Sequence, residues 1–283
     1  MRYISLAASI LASFVVAGCV TQPKPSTSVT AFQAEKPIAP EKVDTVEDFQ
    51  KAAVKFERPA TSASSSSSGS LRGRTLRISS IGDIRLGAKE VVLTFDDGPA
   101  PGKTETILKT LDDYGVKATF LMVGSMAKAH PRLARSVAAR GHSIGSHTYN
   151  HANLRTKGFD AAVNDITRGE SAIRSAGVSN IKFFRFPYLA DTGALRSHLA
   201  SRGTVVLDVD VDSKDYFKVS PASVVNKTMS SLRAQGKGII LMHDLHGRTA
   251  SALPTLLRRL KDEGYKVVHL APGGNSGGGD RTN

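Results

Sequence analysis

Two adjacent carboxylates, Asp96 and Asp97, directly follow a run of apolar residues at 91–95. The run reads Val-Val-Leu-Thr-Phe, which predicts a strand buried on both faces that ends at the turn Gly98-Pro99. An unpaired carboxylate is costly to bury, so two of them at a strand end need water, a cation or a metal. A solvated Asp-Asp-Gly-Pro turn is the alternative for this segment taken alone.

Two histidines four residues apart, His147 and His151, follow a later predicted strand. On a helical turn this spacing places both imidazoles on the same side. Two imidazoles and one carboxylate are typical of catalytic zinc sites, which leave a fourth position open for water. Taken alone, a His-x-x-x-His pair is more often structural or solvated. With Asp97 at a neighbouring strand end, we predict that these three residues bind a divalent metal. Zinc is preferred over Mg²⁺ because imidazole favours zinc-like metals.

The polar residues at other predicted strand ends offer an acid and a base. Asp96 lies beside the predicted ligand Asp97 and can take a proton from water, while Arg185 can hold Asp96 ionised. His243 is a candidate acid, and Asp215 can orient it and keep it protonated. Standing alone, Arg185 would be interpreted as a surface ion pair and His243 as a core histidine. Five polar clusters at strand ends favour the catalytic interpretation.

The elements that must position these residues form a regular series from 89 to 271. Apolar strand-like runs alternate with amphipathic helical stretches, several of which stop at glycine. This alternation predicts an α/β fold whose parallel sheet is closed, or nearly closed, into a barrel; a doubly wound open sheet is the alternative. The polar clusters would then meet at the C-terminal ends of the strands, where sites form in such folds. The predicted strands are Val91–Phe95, Ala118–Val123, Ser143–Ser146, Ile181–Phe186, Val205–Val209, Ile239–Met242 and Lys266–Leu270. The predicted helices are Thr104–Tyr114, Met126–Arg140, Phe159–Ala176, Thr192–Ser201, Pro221–Ala234 and Ala250–Glu263.

The start of the chain is typical of a secretory signal followed by a lipid-attachment cysteine. It has a short positive start, an apolar run too short to span a membrane, and small residues before the cysteine. The tetrad Val16-Ala17-Gly18-Cys19 resembles the lipobox of bacterial lipoproteins, which predicts a signal peptide over 1–18 and acylation of Cys19. Val20 in the next position resembles outer-membrane lipoproteins, so we expect anchoring in that membrane, facing the periplasm. An ordinary cleaved signal with a stray cysteine is the alternative.

Composition predicts a low-complexity tether over 19–88, with one short amphipathic helix at 44–56, and a disordered tail over 272–283. The formal net charge of +13 and the pI near 9.9 indicate an anionic neighbourhood such as cell wall or outer-membrane lipid. A merely soluble basic surface is the alternative. We expect no nucleic-acid partner, because a secretory signal removes the chain from the cytoplasm, and we expect a monomer. The single cysteine excludes an internal disulfide.

Five motifs occur in chain order: Thr94-Phe95-Asp96-Asp97-Gly98-Pro99, His147-x-x-x-His151, Arg185-x-Pro187-Tyr188, Asp212-x-x-Asp215-Tyr216 and Leu241-x-His243. Over about 89–271 this ordered set resembles the polysaccharide deacetylases, the NodB-homology domain of carbohydrate esterase family 4. The resemblance implies a distorted (β/α)7 barrel that removes acetyl groups from N-acetylated sugars and depends on a metal.

The resemblance also implies a role for each matching residue. Tyr216 stands where the fourth motif usually ends in tryptophan, and the chain has no tryptophan, so its substrate preference is open. We assign Pro187, Tyr216 and Leu241 to substrate binding, with Leu241 lining the acetyl pocket. The implied catalytic roles are Asp96 as base, Asp97, His147 and His151 as metal ligands, Arg185 positioning Asp96, the Tyr188 backbone N–H holding the oxyanion, and His243 as acid tuned by Asp215.

These residues together predict an envelope-anchored, metal-dependent deacetylase acting on an acetylated polysaccharide. Peptidoglycan and a chitin-like N-acetylglucosamine polymer are the expected substrates. The nearest alternative is an esterase that removes O-acetyl groups at the same site. A non-catalytic lipoprotein that binds wall glycan is the alternative from another class, although such a module needs neither the base nor the acid.

Overall fold

The computed structural model describes residues 69–273, which contain nine β-strands and seven α-helices. The predictions for the signal peptide, Cys19, the helix at 44–56 and residues 274–283 lie outside the described residues. No helix within 69–273 has the length and apolar character needed to cross a membrane. The strands are β1 Arg72–Ile78, β2 Glu90–Asp96, β3 Thr119–Met122, β4 Ser143–Ser146, β5 Ile181–Phe184, β6 Val205–Val206, β7 Val211–Asp212, β8 Gly238–His243 and β9 Lys266–Pro272. The helices are α1 Thr104–Asp113, α2 Gly124–Ala129, α3 Pro131–Ala139, α4 Phe159–Ser175, α5 Gly193–Ser201, α6 Pro221–Gln235 and α7 Gly247–Asp262.

The strands form one sheet in which every pairing is parallel. β2 is its centre, because it pairs with β3 on one side and with β8 on the other. The sheet continues from β3 through β4 and β5 to β6, and from β8 to β7. Among the described residues no ladder joins β6 to β7, so the barrel is nearly but not fully closed. The predicted distorted (β/α)7 barrel with parallel strands is confirmed.

Both faces of β2 are buried, as its apolar run predicts. Leu93 and Phe95 pack against the outer helices, in a cluster that also holds Leu111 of α1 and Leu256 of α7. Val92, on the opposite face, belongs to a second cluster with side chains from the neighbouring strands. The ladders on the two sides of β2 place Asp96 opposite Leu121 of β3 and His243 of β8, which fixes the point where its terminal carboxylates emerge.

The first strand corrects the predicted extent of the tether. β1 pairs with β9 over 72–78, within the range 19–88 that the composition assigned to the tether. Among the described residues β1 is an edge strand with one partner, and only its last residue, Ile78, is buried. Arginine and threonine occupy all four of its exposed positions, so β1 lacks the apolar run on which the other strands were predicted. At the other end of the domain, Pro272 belongs to β9 and not to the predicted tail.

Two further elements differ from the prediction. The predicted helix Met126–Arg140 is split into α2 and α3 at His130, whose φ is −127° and ψ 57°. The residue before a proline disfavours the helical region, so Pro131 accounts for the break. The predicted strand Val205–Val209 is shortened to β6, because the chain then crosses to β8 and pairs there as β7.

Candidate active site

The turn after β2 carries Asp97 in a backbone conformation that non-glycine residues rarely adopt, with φ at 78°. Gly98 follows it, and a side chain there would collide with the carboxylate of Asp244. That buried carboxylate accepts a hydrogen bond from the hydroxyl of Thr104, at the start of α1, at 2.6 Å. Burial raises the pKa of Asp244 to about 7. The turn is therefore packed against β8 and α1, which fixes the direction of Asp97.

Asp97, His147 and His151 form a group with the geometry of a metal site. One ligand atom from each residue lies within 4.8 Å of the others. Asp97 Oδ1 is 3.6 Å from His147 Nε2 and 3.4 Å from His151 Nε2. This carboxylate oxygen is buried and has no hydrogen-bond partner among the described residues. A buried oxygen without a donor beside two imidazole nitrogens fits a divalent metal with nitrogen and oxygen ligands.

The orientation of His147 supports the same conclusion. Its Nδ1 lies 2.7 Å from the carbonyl oxygen of Arg185. A carbonyl only accepts, so Nδ1 carries the proton and the lone pair of Nε2 is directed at Asp97. The ring is almost completely buried, and burial lowers the pKa of His147, which keeps it neutral. A neutral imidazole with a free Nε2 lone pair is the form that binds a metal.

Asp96 and Arg185 form a buried ion pair beside this group. Arg185 Nη1 donates to Asp96 Oδ1 at 2.7 Å and to the hydroxyl of Thr94 at 2.8 Å. Its other nitrogens donate to the carbonyl oxygens of Leu207 and Asp208, both at 3.2 Å. Arg185 is only 1% exposed. A buried guanidinium whose hydrogen bonds are directed at fixed acceptors holds the Asp96 carboxylate in one orientation.

His243 and Asp215 form a second charged pair at the end of β8. His243 Nδ1 lies 2.6 Å from Asp215 Oδ1, and the other carboxylate oxygen accepts from the His243 backbone N–H at 2.8 Å. Burial favours a neutral imidazole, but the hydrogen bond and the charge of Asp215 outweigh it and raise the pKa of His243 to about 9. Burial also opposes ionisation of Asp215, yet its bonds to His243 leave the pKa of this carboxyl lowered. The pair is therefore an imidazolium held by a carboxylate at neutral pH.

These groups meet in an open cavity of about 430 Å³ at the C-terminal ends of the strands. Every predicted site residue within 69–273 lines it except two. Asp215 lies behind His243, and Pro187 is buried next to the lining residues Phe186 and Tyr188. The predicted residues that line the cavity are Asp96, Asp97, His147, His151, Arg185, Tyr188, Tyr216, Leu241 and His243.

Some residues of the site were missed at the sequence level. Leu189 and Asp212 also line the cavity. Thr249 of α7 donates to Asp215 Oδ2 at 2.5 Å, and Asp165 of α4 accepts from the backbone of the loop between the two histidines at 2.9 Å. Asp212 was identified in the sequence as the first residue of the fourth motif, but no role in the site was assigned to it. The two helix residues carry no local signal, since their role depends on which loop the helix packs against.

The fold and the site together define a β/α-barrel protein that holds a metal-site geometry beside an arginine-held carboxylate and a carboxylate-held imidazole. Comparison with known families gives a match to the polysaccharide deacetylases over residues 83–207. The chain belongs to this family, as its five motifs predict.

Individual relatives agree with this assignment. A peptidoglycan-N-acetylglucosamine deacetylase of Listeria monocytogenes is 34% identical over 183 residues, which are 64% of this chain and 38% of that protein. A chitooligosaccharide deacetylase of Sinorhizobium fredii is 31% identical over 198 residues, 65% of this chain and 91% of that protein. The solved structure of a Bdellovibrio bacteriovorus peptidoglycan deacetylase has a TM-score of 0.64 and 32% identity, and the match covers 73% of this chain and 57% of that one. The chain thus spans well under half of the Listeria protein but most of the Sinorhizobium one.

Proposed function

We propose that this protein hydrolyses the N-acetyl groups of an N-acetylglucosamine polymer, either peptidoglycan or a chitin-like glycan. One observation carries the proposal: a metal-site geometry, an arginine-held carboxylate and a protonated histidine face the same cavity. Amide hydrolysis uses all three, whereas a glycan-binding module needs neither an acid nor a base. The substrates named for the Listeria and Sinorhizobium relatives support this substrate class.

A divalent metal, with zinc as the first candidate, would be held by Asp97, His147 and His151 and would polarise the acetyl carbonyl and acidify the attacking water. The proton of that water is taken by Asp96. Arg185 occupies Oδ1 of Asp96, which leaves Oδ2, 3.8 Å from His147 Nε2, as the oxygen that faces the reaction. Arg185 thereby keeps the base fixed beside the water throughout the reaction.

As the water oxygen bonds to the acetyl carbon, negative charge develops on the former carbonyl oxygen. We assign its stabilisation in part to the backbone N–H of Tyr188, whose left-handed φ of 59° turns the chain at the cavity wall. Loss of such a donor typically costs about 10²–10³-fold in rate. His243 gives its Nε2 proton to the sugar nitrogen as the C–N bond breaks, and the products are acetate and a free amine. Leu241 is a buried residue of the cavity wall, and we assign to it the contact with the acetyl methyl group.

The test is acetate release from N-acetylglucosamine oligomers and from isolated peptidoglycan, with and without a chelator. We expect release that the chelator abolishes and that added zinc restores. The preferred polymer identifies the substrate. Absence of release while elemental analysis finds metal bound would overturn the proposal, and acetate release from O-acetylated xylan alone would assign the site to an esterase instead.

We further propose that the protein is anchored by lipid at Cys19 in the outer membrane, facing the periplasm. The lipobox-like tetrad ending at Cys19 supports this location. Expression with a radiolabelled fatty acid should label the wild-type chain and not Cys19→Ser. Labelling of both chains, or recovery of the wild-type protein in the soluble periplasmic fraction, would contradict the anchor.

A further inference from the structure

Exposed apolar side chains are concentrated on loops at the cavity end of the barrel. Within 69–273, eight large apolar residues are exposed, and six of them lie on three loops that follow strands at the site end of the barrel. A patch of this kind next to a polar site commonly marks a binding surface. The six are Tyr188 and Leu189 after β5, Tyr216, Phe217 and Val219 after β7, and Leu245 after β8.

The polar end of Tyr216 is occupied by the protein itself. Its hydroxyl donates to Asp212 Oδ2 at 3.0 Å and accepts from Lys214 Nζ at 2.9 Å. Lys214 Nζ also donates to Asp212 Oδ2 at 2.6 Å, and the Lys214 backbone N–H donates to Asp212 Oδ1 at 2.9 Å. We call these three residues the clasp. With its hydroxyl satisfied, Tyr216 presents only a fixed aromatic ring to the cavity, which it lines beside His243.

Phe217 extends this ring surface away from the cavity. Its side chain is 55% exposed, does not line the cavity, and has its ring centre 4.7 Å from that of Tyr216. The backbone holds it in place, because the Phe217 N–H donates to the carbonyl of Lys214 at 3.3 Å. Covering this exposed phenyl ring with another apolar surface removes both surfaces from water, which is favourable in free energy. We call Tyr216 and Phe217 the aromatic shelf.

We propose that the aromatic shelf binds the sugar ring next to the one whose acetyl group enters the cavity, so that the site selects polymers over short fragments. This rests on the proposed function. The cavity of about 430 Å³ is at the small end of ligand sites. Tyr216 lines this cavity and its ring is in contact with that of Phe217 outside it, so a polymer that extends from the cavity past Tyr216 places its adjoining sugar on both rings. The CH face of a pyranose ring is the apolar surface that suits such a shelf.

The test compares kcat/KM for acetate release from a long N-acetylglucosamine oligomer with that from the monomer, N-acetylglucosamine, which has no adjoining sugar. Phe217→Ala should lower this ratio about three- to tenfold, the range expected for a lost aromatic contact. Phe217→Tyr keeps the ring and should keep the ratio. Lys214→Met, which opens the clasp, should lower it by a smaller factor. A ratio unchanged in Phe217→Ala would overturn the proposal.

Phe159→Ala is the matched control, because Phe159 is an exposed phenylalanine at the start of α4 that packs on His198 and does not line the cavity. Phe159→Ala should leave the ratio of kcat/KM values as in the wild type. If it lowered this ratio as much as Phe217→Ala does, the shelf would be overturned. Calorimetric binding of the long oligomer to Asp96→Asn provides a readout without turnover. If the wild type releases no acetate but Phe217→Ala weakens that binding, the proposed function fails and the shelf stands. The shelf would be overturned if Asp96→Asn did not bind the long oligomer. It would also be overturned if the wild-type protein were a dimer in sedimentation experiments and Phe217→Ala dissociated it, because the two rings would then be a contact between protein subunits.

Discussion

The strand β4 has a buried histidine at each end, and the two ends of the barrel use them differently. His142 precedes the strand, at the end away from the cavity, and His147 follows it, inside the cavity. Their exposed fractions are 5% and 2%, and burial lowers the pKa of both rings. Burial therefore does not distinguish a candidate ligand from a core residue in this protein.

The partner of Nδ1 does distinguish them. His142 Nδ1 accepts a hydrogen bond from the backbone N–H of Ala118 at 3.2 Å, so its proton is on Nε2, and the ring packs edge-on against Phe120. His147 Nδ1 donates to the carbonyl of Arg185, so its Nε2 presents a lone pair. Only the second arrangement offers an atom that can bind a metal.

His243 adds a third arrangement, in which Nδ1 faces the carboxylate of Asp215. A carboxylate stabilises the charged ring, so the pKa of the largely buried His243 is raised. The partner of Nδ1 is a backbone N–H in His142, a carbonyl oxygen in His147 and a carboxylate in His243. The first histidine is accordingly a core residue, the second a candidate ligand and the third a candidate acid. In this protein the hydrogen-bond partner of Nδ1 therefore predicts the chemistry of a histidine better than the burial of its ring does.

The largest difference between the two ends of β4 is expected when the same substitution is made at each, as His147→Gln and His142→Gln. His147→Gln removes the Nε2 lone pair, so we expect dialysed protein to lose its metal and kcat/KM for acetate release to fall at least about a thousandfold. The same change at His142 should leave the metal content unaltered. Elemental analysis and acetate release measure both effects, and full metal occupancy in His147→Gln would contradict the assignment.

Asp96→Asn separates proton transfer from metal binding at the cavity end. The amide keeps the shape of the side chain and a contact to Arg185 but cannot accept the proton of water, so acetate release should fall about 10²–10⁴-fold. The zinc content should match that of the wild type, because Asp96 is not in the ligand group. Retained turnover in this variant would show that another group is the base.

Asp215→Asn tests why His243 is charged. An acid must be protonated, so kcat/KM should decline as the pH rises through the pKa of His243, about 9. Without the carboxylate, burial lowers that pKa, and we expect the alkaline limb of the pH profile to move down by about one unit or more. Asp215→Glu, which restores a carboxylate, should shift the limb back part of the way. An alkaline limb unchanged in Asp215→Asn would mean that another group limits the rate at high pH.

The sequence predicted the cavity end of the barrel better than its periphery, for a physical reason. Parallel strands bring their carboxyl ends together, so the positions of Asp97 and His147 after two predicted strands were sufficient to predict that they meet. The edge strand β1 has no apolar run, because residues on both of its faces are exposed to water. Asp165 and the backbone partners of the histidines were beyond prediction, since they depend on how helices and strands pack in three dimensions.

The smallest expected effect belongs to His142 itself. In the unfolded chain its pKa is near the ordinary value of about 6.5, whereas burial and then Lys117 lower it to about 3 in the folded protein. The unfolded state therefore binds the extra proton, and the stability that His142 supports above about pH 6.5 is lost as the pH falls towards 3. His142→Gln should flatten this part of the pH dependence of the free energy of unfolding, measured by denaturant titration. It should also cost about 1–3 kcal/mol at neutral pH through lost packing on Phe120. Acetate release by the folded variant should equal that of the wild type, and a large loss would mean that the two ends of β4 are not independent.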